Sequence, residues 1–463
     1  MSKFDYYIAF TRFGNGASPE LAKLSNKREK TLSKKSSKVG AQTWLISQLT
    51  KYEIVAPKLT SEQALTNIFL YRKEKRLVDQ SPDTNQAQQT LKETRRSLLT
   101  RSHQLTEQVL LQSIHTEQPI QARLLDFFSN HFSVSNSNFN MRSIAPTLEV
   151  EAIAPHLDGF FSDILVSVTK HPAMLYYLNN ENSTGANSKI GLRRKTRGIN
   201  ENLGREILEL HTLGVNSGYS QQDVQALSKG LTGWTIGGKK QGENIGFMFR
   251  PNAHEPDEQT LLGVRYPEAR RNSPQQAIDM LIDLAQNEKT AMHLSYKLAK
   301  HFISDNPPQK LVQAMSASWM KSKGHIPTVM KALIKHPESW SVNAQKFKTP
   351  REFVISICRA CQLGNIKPEL VKTLEILGQA PFSSGSPAGF SDNAKDWASD
   401  SSIMNRIEWA EHIAGQVKLP PIEVAKIALG NLLQVNTEKQ IARAESKRQS
   451  LAMLFMSPEF LRR

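Results

Sequence analysis

The densest group of side chains capable of acid–base chemistry lies between positions 200 and 211, in the segment NENLGREILELH. Apolar residues at helical spacing, among them Leu203, Ile207 and Leu210, predict an amphipathic helix; at about 100° per residue, Glu206 projects inside the edge of its apolar arc. A carboxylate among leucines must find a cation or hydrogen-bond donors, bind a metal, or keep its proton to higher pH. General acids and bases arise under these conditions, although buried structural networks have the same composition. The candidate group is Asn200, Asn202, Arg205, Glu206, Glu209 and His211.

A second imidazole lies where the helical periodicity gives way to alternation. The segment IGFMFRPNAHEPDEQTLLG alternates apolar and polar residues about a turn, which predicts a small β-hairpin with His254 at its bend. An exposed loop histidine near Glu255 and Asp257 is a candidate metal ligand or acid–base group. The residues that we predict to be catalytic are therefore Glu206, Glu209, His211 and His254.

Polar and cationic residues that precede the central helix are candidates for substrate binding. The segment YYLNNENS ends a helix with groups that can cap it or bind, and the loop from 184 to 198 contains five cations and no acid. Cations beside a helix N-terminus predict an anion pocket. His131, in the apolar helix PIQARLLDFFSNHFSV, is either a hydrogen-bonded core histidine or a member of the site. The predicted substrate-binding residues are Asn179, Asn180, Ser183, Arg197, Asn200, Asn202, Arg205 and His131.

Helical periodicity dominates the elements that must position these groups. Leucines at three- and four-residue steps predict long amphipathic helices between 61 and 118, and consecutive helices return from 274 to 463. We therefore expect a mainly α fold, a large irregular multi-helix domain with one small β-hairpin insertion. A single domain over residues 1–463 is the prediction, with a subdivision into 1–135 (N-terminal helices), 136–272 (central helix and hairpin) and 273–463 (C-terminal helices) as its refinement.

One long segment rich in Gly, Pro and Ser interrupts the C-terminal helices. Residues 378–397, GQAPFSSGSPAGFSDNAKDW, form a connection of unusual length for a compact domain, and such connections are commonly lids or binding loops. Its aromatic residues Phe382, Phe390 and Trp397 either lay the loop over a pocket or simply pin it down.

Composition limits the partners and the compartment. The net charge of +16 attracts polyanions, but the basic residues are spread along the chain without a nucleic-acid-binding motif, so we expect no specific nucleic-acid partner. No apolar run approaches the roughly 20 residues that cross a bilayer. The first residues lack the apolar core of a secretory signal, which predicts a cytoplasmic chain as written; a periplasmic one stays open, by export with a partner or after trimming of a signal. Cys358 and Cys361 lie in an apolar helix and are expected to be reduced core thiols.

A series of motifs in order resembles the DUF1800 family of bacterial proteins, whose name assigns no function. The resemblance is carried by HPAMLYYLNNENS, NENLGREILELHTLGVNSGYSQQDV and LTGW, and continues through TRFGNGASP, FFSNHFSV, KLAKHFISDNPP and SPEFLRR. Several polar positions depart from the family pattern. Asn179 replaces an Asp, Leu203 and Gly204 stand where Tyr and Ala are usual, and the pattern HDxGxK around His254 lacks its Gly and Lys. The lost Asp and Lys leave open whether this member is active.

Two hypotheses for the function follow, and whether the chain is an enzyme stays open between them. The first is a hydrolase-like or transferase-like enzyme that acts on a polar or anionic substrate through the Glu/His cluster. In a variant of this hypothesis, a divalent metal lies between the carboxylates and an imidazole. The second is a non-catalytic helical partner or assembly protein. The resemblance implies its partner, because members of the family are often encoded beside a sulfatase-like protein of the alkaline-phosphatase superfamily.

Overall fold

The computed structural model describes residues 5–31, 34–55, 57–80, 85–193, 198–238, 243–268, 273–342 and 346–463. Helices dominate, and strands occur only between 234 and 266 within these ranges, which confirms the mainly α fold. No helix in the described part of the chain is long and apolar enough to cross a membrane.

Seven helices lie in the described N-terminal part of the molecule. They are α1 (Asp5–Ile8), α2 (Pro19–Thr31), α3 (Lys34–Ser47), α4 (Ser61–Gln80), α5 (Asn85–His115), α6 (Pro119–His131) and α7 (Phe139–Leu148). The long helix α5 packs against α4 and α7, and it also reaches C-terminal helices. Helix α6 begins with Pro119 at its first turn, where a missing N–H costs nothing, and its apolar residues are buried.

Within the described residues, the central part contains five shorter helices and two hairpins. The helices are α8 (Phe161–Lys170), α9 (Pro172–Tyr177), α10 (Lys189–Arg193), α11 (Asn202–Glu206) and α12 (Gln221–Gly230). Helix α12 opens with a capping box between Ser220 and Asp223. The strands are β1 (Trp234–Gly237) antiparallel to β2 (Gly246–Phe249), and β3 (Gln259–Leu261) antiparallel to β4 (Val264–Tyr266).

The predicted single hairpin around His254 is therefore wrong in its pairing. The first half of the alternating segment pairs backward with β1, and the second half pairs forward with β4. Pro251 opens a 3-10 turn and Pro256 follows soon after, and neither has an N–H for a ladder hydrogen bond. His254 consequently lies in the connection between two hairpins, and not at the bend of one.

Eleven helices of the described C-terminal part close the molecule. They are α13 (Gln275–Gln286), α14 (Glu288–Phe302), α15 (Gln309–Ser322), α16 (Ile326–Lys335), α17 (Pro350–Cys361), α18 (Leu370–Ile376), α19 (Asp400–Ala414), α20 (Pro421–Ala428), α21 (Val435–Arg443), α22 (Lys447–Phe455) and α23 (Pro458–Leu461). Helix α14 packs against α13 and α15, and α17 packs against α5.

The buried apolar residues form two clusters. The larger one takes residues from between Tyr6 and Trp340, and the smaller one consists mostly of residues between Phe347 and Leu461. Helix α5 contributes to both, through Leu105 and Val109 to the larger and through Leu110 and Ile114 to the smaller. Cys358 and Cys361 are buried in the smaller cluster as free thiols, in agreement with the sequence.

Wider π-helical turns replace α-helix at three places in the part of the chain that the structure describes. They span Ala9–Phe13, Glu149–Ile153 and Ile207–His211, and each contains a buried polar residue: Arg12, Glu149 and His211 respectively. Such turns occur frequently at functional sites. The third one interrupts the helix predicted from Asn200 onward, so α-helical angles do not give the direction of His211.

Candidate functional site

Glu206 and Glu209 lie together on a half-buried surface. Arg205 places Nη1 3.4 Å from Oε1 of Glu209 and Nη2 3.2 Å from Oε2 of Glu201, so it neutralises the neighbours of Glu206. The Tyr219 hydroxyl donates a hydrogen bond to Glu209. Glu206 makes no ion pair with any described residue. Burial and the charge of Glu209 raise its pKa, while Arg205 lowers it in part.

The amide and hydroxyl groups beside the central helix hold the chain where it enters α11. Asn200 donates its side-chain amide to the carbonyl groups of Leu178 and Asn179, each at 3.1 Å. Its Oδ1 accepts from the backbone N–H of Asn202 at 3.0 Å, and Ser183 Oγ accepts from the N–H of Asn200 at 3.1 Å. These bonds give a structural account of the side chains of Asn200 and Ser183, whereas Asn179 and Asn202 take part through backbone groups.

Asn180 connects the same turn to β1. Its amide donates to the carbonyl groups of Leu231 at 3.2 Å and Trp234 at 3.1 Å. Arg197 and its neighbours 194–196 lie outside the described residues, so the anion pocket expected there remains a prediction. Lys189 and Arg193 of the same basic loop lie in α10.

His254 is separate from the two glutamates. Its Nδ1 lies 3.0 Å from the carbonyl oxygen of Thr232, and its ring packs edge-on against Phe249. The ring is half-buried and not exposed as expected, and no hydrogen bond or ion pair within the described ranges joins it to Glu206, Glu209 or His211. The catalytic set predicted from the sequence is therefore distributed over three places.

His131 and His211, which the sequence places far apart, are brought together. His131 Nε2 lies 3.1 Å from the backbone carbonyl of His211 and therefore carries the proton, because a carbonyl only accepts. Nδ1 of His131 is left as an acceptor and lies 3.1 Å from Nζ of Lys297. His211 is buried, and its Nε2 has no hydrogen-bond partner in the described part of the chain.

Lys297 and His293 complete this group, and sequence reasoning missed both. They lie four residues apart in α14, on one face with His301, and both are partly accessible to solvent. His293 donates to the backbone carbonyl of Leu210. The spacing in HLSYKLAKH was the signal that could have identified them. We call His131, His211, His293 and Lys297 the lysine–histidine centre.

The charge state of this centre follows from burial and from Lys297. Burial, assisted by the nearby Lys297 charge, lowers the pKa of His211 to about 3 and that of His293 to about 4. The same two causes hold the pKa of His131 well below its ordinary value. Burial also lowers the pKa of Lys297, and Asp392 opposes this effect. Near neutral pH the centre thus contains three neutral imidazoles around one lysine.

Asp392 belongs to the long loop of residues 378–397, which connects the centre to a buried ionic network. Its Oδ1 lies 3.5 Å from Nδ1 of His301, whose Nε2 accepts a hydrogen bond from Arg123 at 3.1 Å. Arg123 in turn places Nη1 2.8 Å from Oε1 of Glu352, which also binds Arg463. The network is buried throughout, and it fixes α6, α14 and α17 relative to one another.

The same loop covers a cavity of about 50 Å³ beside a different face of α6. Phe382 and Phe390 line it, and Asn130 holds the loop through its amide, which donates to the carbonyl of Phe390 at 2.9 Å and accepts from its N–H at 2.7 Å. Trp397 packs against Phe390 with ring centroids 6.0 Å apart. Besides Asn130, the polar lining consists of Asp126, Ser129, Ser133, Glu149, Arg351 and Gln379.

The side chains that are spaced as metal ligands are not the predicted catalytic residues. Among the described residues, one group has histidine and carboxylate ligand atoms within 4.8 Å of one another, namely His103, Glu107 and Glu369 on the surface. Neither Glu206, Glu209 nor His254 belongs to it.

Comparisons with known proteins support the motif-based resemblance. The sequence model of a family described as "Protein of unknown function (DUF1800)" matches residues 8–462, nearly the whole chain. No curated protein and no solved structure matches the chain.

Proposed function

The chain belongs to the DUF1800 family of proteins of unknown function, and we propose that it is a hydrolase-like or transferase-like enzyme that acts on a polar or anionic substrate at the lysine–histidine centre. The observation that carries this proposal is the 3.1 Å contact between Nζ of Lys297 and Nδ1 of His131, beside the unpartnered Nε2 of the buried His211. A cation and neutral imidazoles at such short range are the components of acid–base chemistry with charge stabilisation.

Each group has a distinct role in this proposal. Lys297 stabilises the negative charge of the substrate or of the transition state, because its ammonium group lies in a partly desolvated position. His211 is neutral near pH 7 and transfers a proton at its imidazole. His131 orients Lys297, since its hydrogen bond to the carbonyl of His211 fixes the tautomer that accepts from Nζ.

The charge of the molecule agrees with an anionic substrate. The net charge of +16 raises the local concentration of anions around the protein. Lys297 is opposed by one carboxylate of the covering loop, Asp392, which a substrate anion would have to replace or approach. We therefore favour phosphate, sulfate or carboxylate esters over neutral substrates.

Glu206, Glu209 and His254 remain alternative acid–base candidates at separate places. Glu206 is the strongest of them, because it is half-buried and has a raised pKa. The separation of the groups makes their contributions distinguishable. Glu206→Gln tests one place, His254→Ala tests another, and His211→Gln tests the lysine–histidine centre.

The experiment is a screen of the purified chain against nitrophenyl esters of phosphate, sulfate and acetate, followed by variants on the best substrate. We expect Lys297→Met and His211→Gln to lower the rate by about a hundredfold or more, as removal of an acid–base or charge-stabilising group does. Lys300→Met, on the same helix, is the matched control and should retain the rate. Unchanged rates in both centre variants would refute the assignment.

A second candidate function, a helical partner of a sulfatase-like protein, is favoured by the surface beside the centre. Val215, Met292 and Tyr296 are exposed at 61%, 43% and 42%, and each lies within a few residues of His211, His293 or Lys297 in sequence. Exposed apolar side chains mark a contact surface where they form a contiguous patch, which is the arrangement this candidate requires. Titration calorimetry between the purified chain and a sulfatase-like protein of the kind often encoded beside members of the family tests this candidate. Val215→Asp should weaken binding if the surface is used.

A further inference from the structure

The cavity under the loop contains a guanidinium group with an unused edge. Arg351 is 9% exposed and lines the cavity. Its Nε lies 3.1 Å from Oδ1 of Asp126, whereas Nη1 lies 3.9 Å from Oε1 of Glu149, beyond hydrogen-bonding distance. Nη2 is buried and has no hydrogen-bond partner within the described ranges. A buried donor without a partner costs free energy unless a ligand or water accepts from it.

The second carboxyl group of the cavity differs from the first. Glu149 is almost completely buried, in a π-helical turn, and the Ser129 hydroxyl donates to its Oε1. Burial raises the pKa of Glu149, the charge of Asp126 adds to the effect, and Arg351 and Ser129 oppose it. Glu149 therefore keeps its proton to higher pH than an ordinary glutamate, and in that form it is a hydrogen-bond donor.

We propose that this cavity binds a small carboxylate ligand, or the carboxylate end of a longer one, through the Nη1–Nη2 edge of Arg351. A planar guanidinium edge with two parallel donors matches a carboxylate. The volume of about 50 Å³ accommodates a few water molecules or a group of similar size, and a nucleotide or a phosphorylated sugar is too large. Phe382 and Phe390 provide an apolar wall for the carbon substituent.

Proton uptake accompanies binding in this proposal. With Glu149 ionised, the cavity would contain two carboxylates against one guanidinium, and a third anion would be repelled. The groups that face Glu149 are Asp126, Ser129 and Arg351. Tyr52 interacts electrostatically with Arg351. The ligand thus binds when Glu149 is protonated, and affinity falls as pH rises through the raised pKa of Glu149.

The residues of this site differ from those of the proposed enzyme function. It lies beside the face of α6 that carries Asp126, Ser129 and Asn130, whereas His131 faces the lysine–histidine centre. Loss of activity in variants of Lys297 and retention of carboxylate binding, or the reverse, would separate the two proposals.

The test is isothermal titration calorimetry of the full chain with acetate, propionate, inorganic phosphate and glycerol. We expect the two carboxylates to bind more tightly than phosphate, whose additional negative charge Asp126 repels, and glycerol to give no heat. Arg351→Lys keeps the charge but removes the two-donor edge, and should weaken acetate binding by about tenfold or more. Arg142→Lys, on the exposed surface, is the matched control and should bind acetate unchanged.

The Glu149→Gln variant tests whether these residues form a ligand site or only a structural ion cluster. The amide cannot ionise but still donates a hydrogen bond, so acetate should bind this variant with an affinity that no longer falls with rising pH. Circular dichroism shows whether each variant is folded. The proposal is overturned if acetate binds Arg351→Lys as it binds the parent, if phosphate binds in its place, or if no carboxylate binds a folded parent chain.

Discussion

Glu352 and Arg463 form a buried ion pair in which Nη2 of the arginine lies 2.7 Å from Oε1 of the glutamate, although 111 residues separate them. The same oxygen lies 2.8 Å from Nη1 of Arg123. One carboxylate therefore neutralises two buried guanidinium groups, that of Arg123 in α6 and that of Arg463. Glu352 also accepts from the N–H of Thr349 in the capping box of α17, so the pair is anchored to a helix start.

Neutralising Glu352 should destabilise the fold strongly. Glu352→Gln keeps the shape and the capping bond but leaves the charges of Arg123 and Arg463 buried and unpaired. We expect a loss of about 3–5 kcal/mol in the free energy of unfolding, measured by urea denaturation. Glu375→Gln removes the exposed ion pair with Lys372 and should cost less than about 1 kcal/mol. Equal losses in the two variants would contradict this account of the pair.

The same carboxylate should contribute to acid sensitivity. Arg123 and Arg463 hold the pKa of Glu352 far below its ordinary value, despite the opposing effect of burial, which is the largest single influence. The folded state thus binds this proton less readily than the unfolded state. Its contribution to stability is complete above the ordinary pKa of glutamate and is lost as pH falls below it. Between about pH 6 and about pH 3, the parent chain should lose stability more steeply than Glu352→Gln does.

Lys297 should react with amine reagents at unusually low pH. Burial lowers its pKa and Asp392 raises it in part, so the free amine is present at lower pH than in an ordinary lysine. Mass spectrometry after brief acetylation over a pH series measures this directly. Asp392→Asn should shift the labelling of Lys297 to still lower pH, and exposed Lys321 should not respond. If Asp392→Asn left the pH dependence of Lys297 acetylation unchanged, the electrostatic interaction between the two residues would be contradicted.

Glycine should be required at position 204, where the family pattern has alanine, because Ser228 lies too close for a side chain. A Cβ atom at this position would lie 2.3 Å from Oγ of Ser228 in α12. Gly204→Ala should therefore cost about 1–3 kcal/mol of stability through overpacking. Combining it with Ser228→Ala removes the clashing oxygen, so the double variant should be more stable than the sum of the single effects predicts. If the effects were additive, α11 and α12 would be able to move apart to relieve the contact, and the account of the clash would be wrong.

Gly389 should be needed to seat the long loop. Its φ of +81° is in the left-handed region, and a Cβ atom there would lie 2.4 Å from the carbonyl oxygen of Asn130. Gly389→Ala should loosen the loop and increase cleavage between 378 and 397 in limited proteolysis. At Gly385 a Cβ atom would meet no described atom within 4 Å, so Gly385→Ala should be cleaved like the parent.

The sequence predicted the elements better than their mutual contacts. Helix starts followed from local capping chemistry, as at Ser220 and Asp223, because those interactions span only a few residues. The pairing of the alternating segment near His254 could not be predicted locally, since either end could pair with a different neighbour. His131 and His211 were singled out separately, but their meeting depends on a π-helical turn that no residue pattern indicates.

Lys297 was missed for a physical reason. A lysine in an amphipathic helix is normally solvated, and only the tertiary packing of α6 and the Ile207–His211 turn against α14 desolvates this one. Arg351 was missed in the same way, since its free edge exists only because Asp126 occupies the other side. The loop over the cavity was predictable, because its length and composition are exceptional for a helical chain.

Two residues of that loop contact two different helices, α6 and α14. Phe390 is bonded to Asn130 beside the cavity, while Asp392 faces His301 and Lys297. Two residues of chain extend to at most about 7 Å, so Phe390 cannot withdraw far without pulling Asp392 with it. The segment therefore couples the cavity to Lys297 mechanically. When the loop uncovers the cavity, the carboxylate of Asp392 moves away from Lys297. A ligand that stabilises the covered form also keeps this carboxylate beside Lys297.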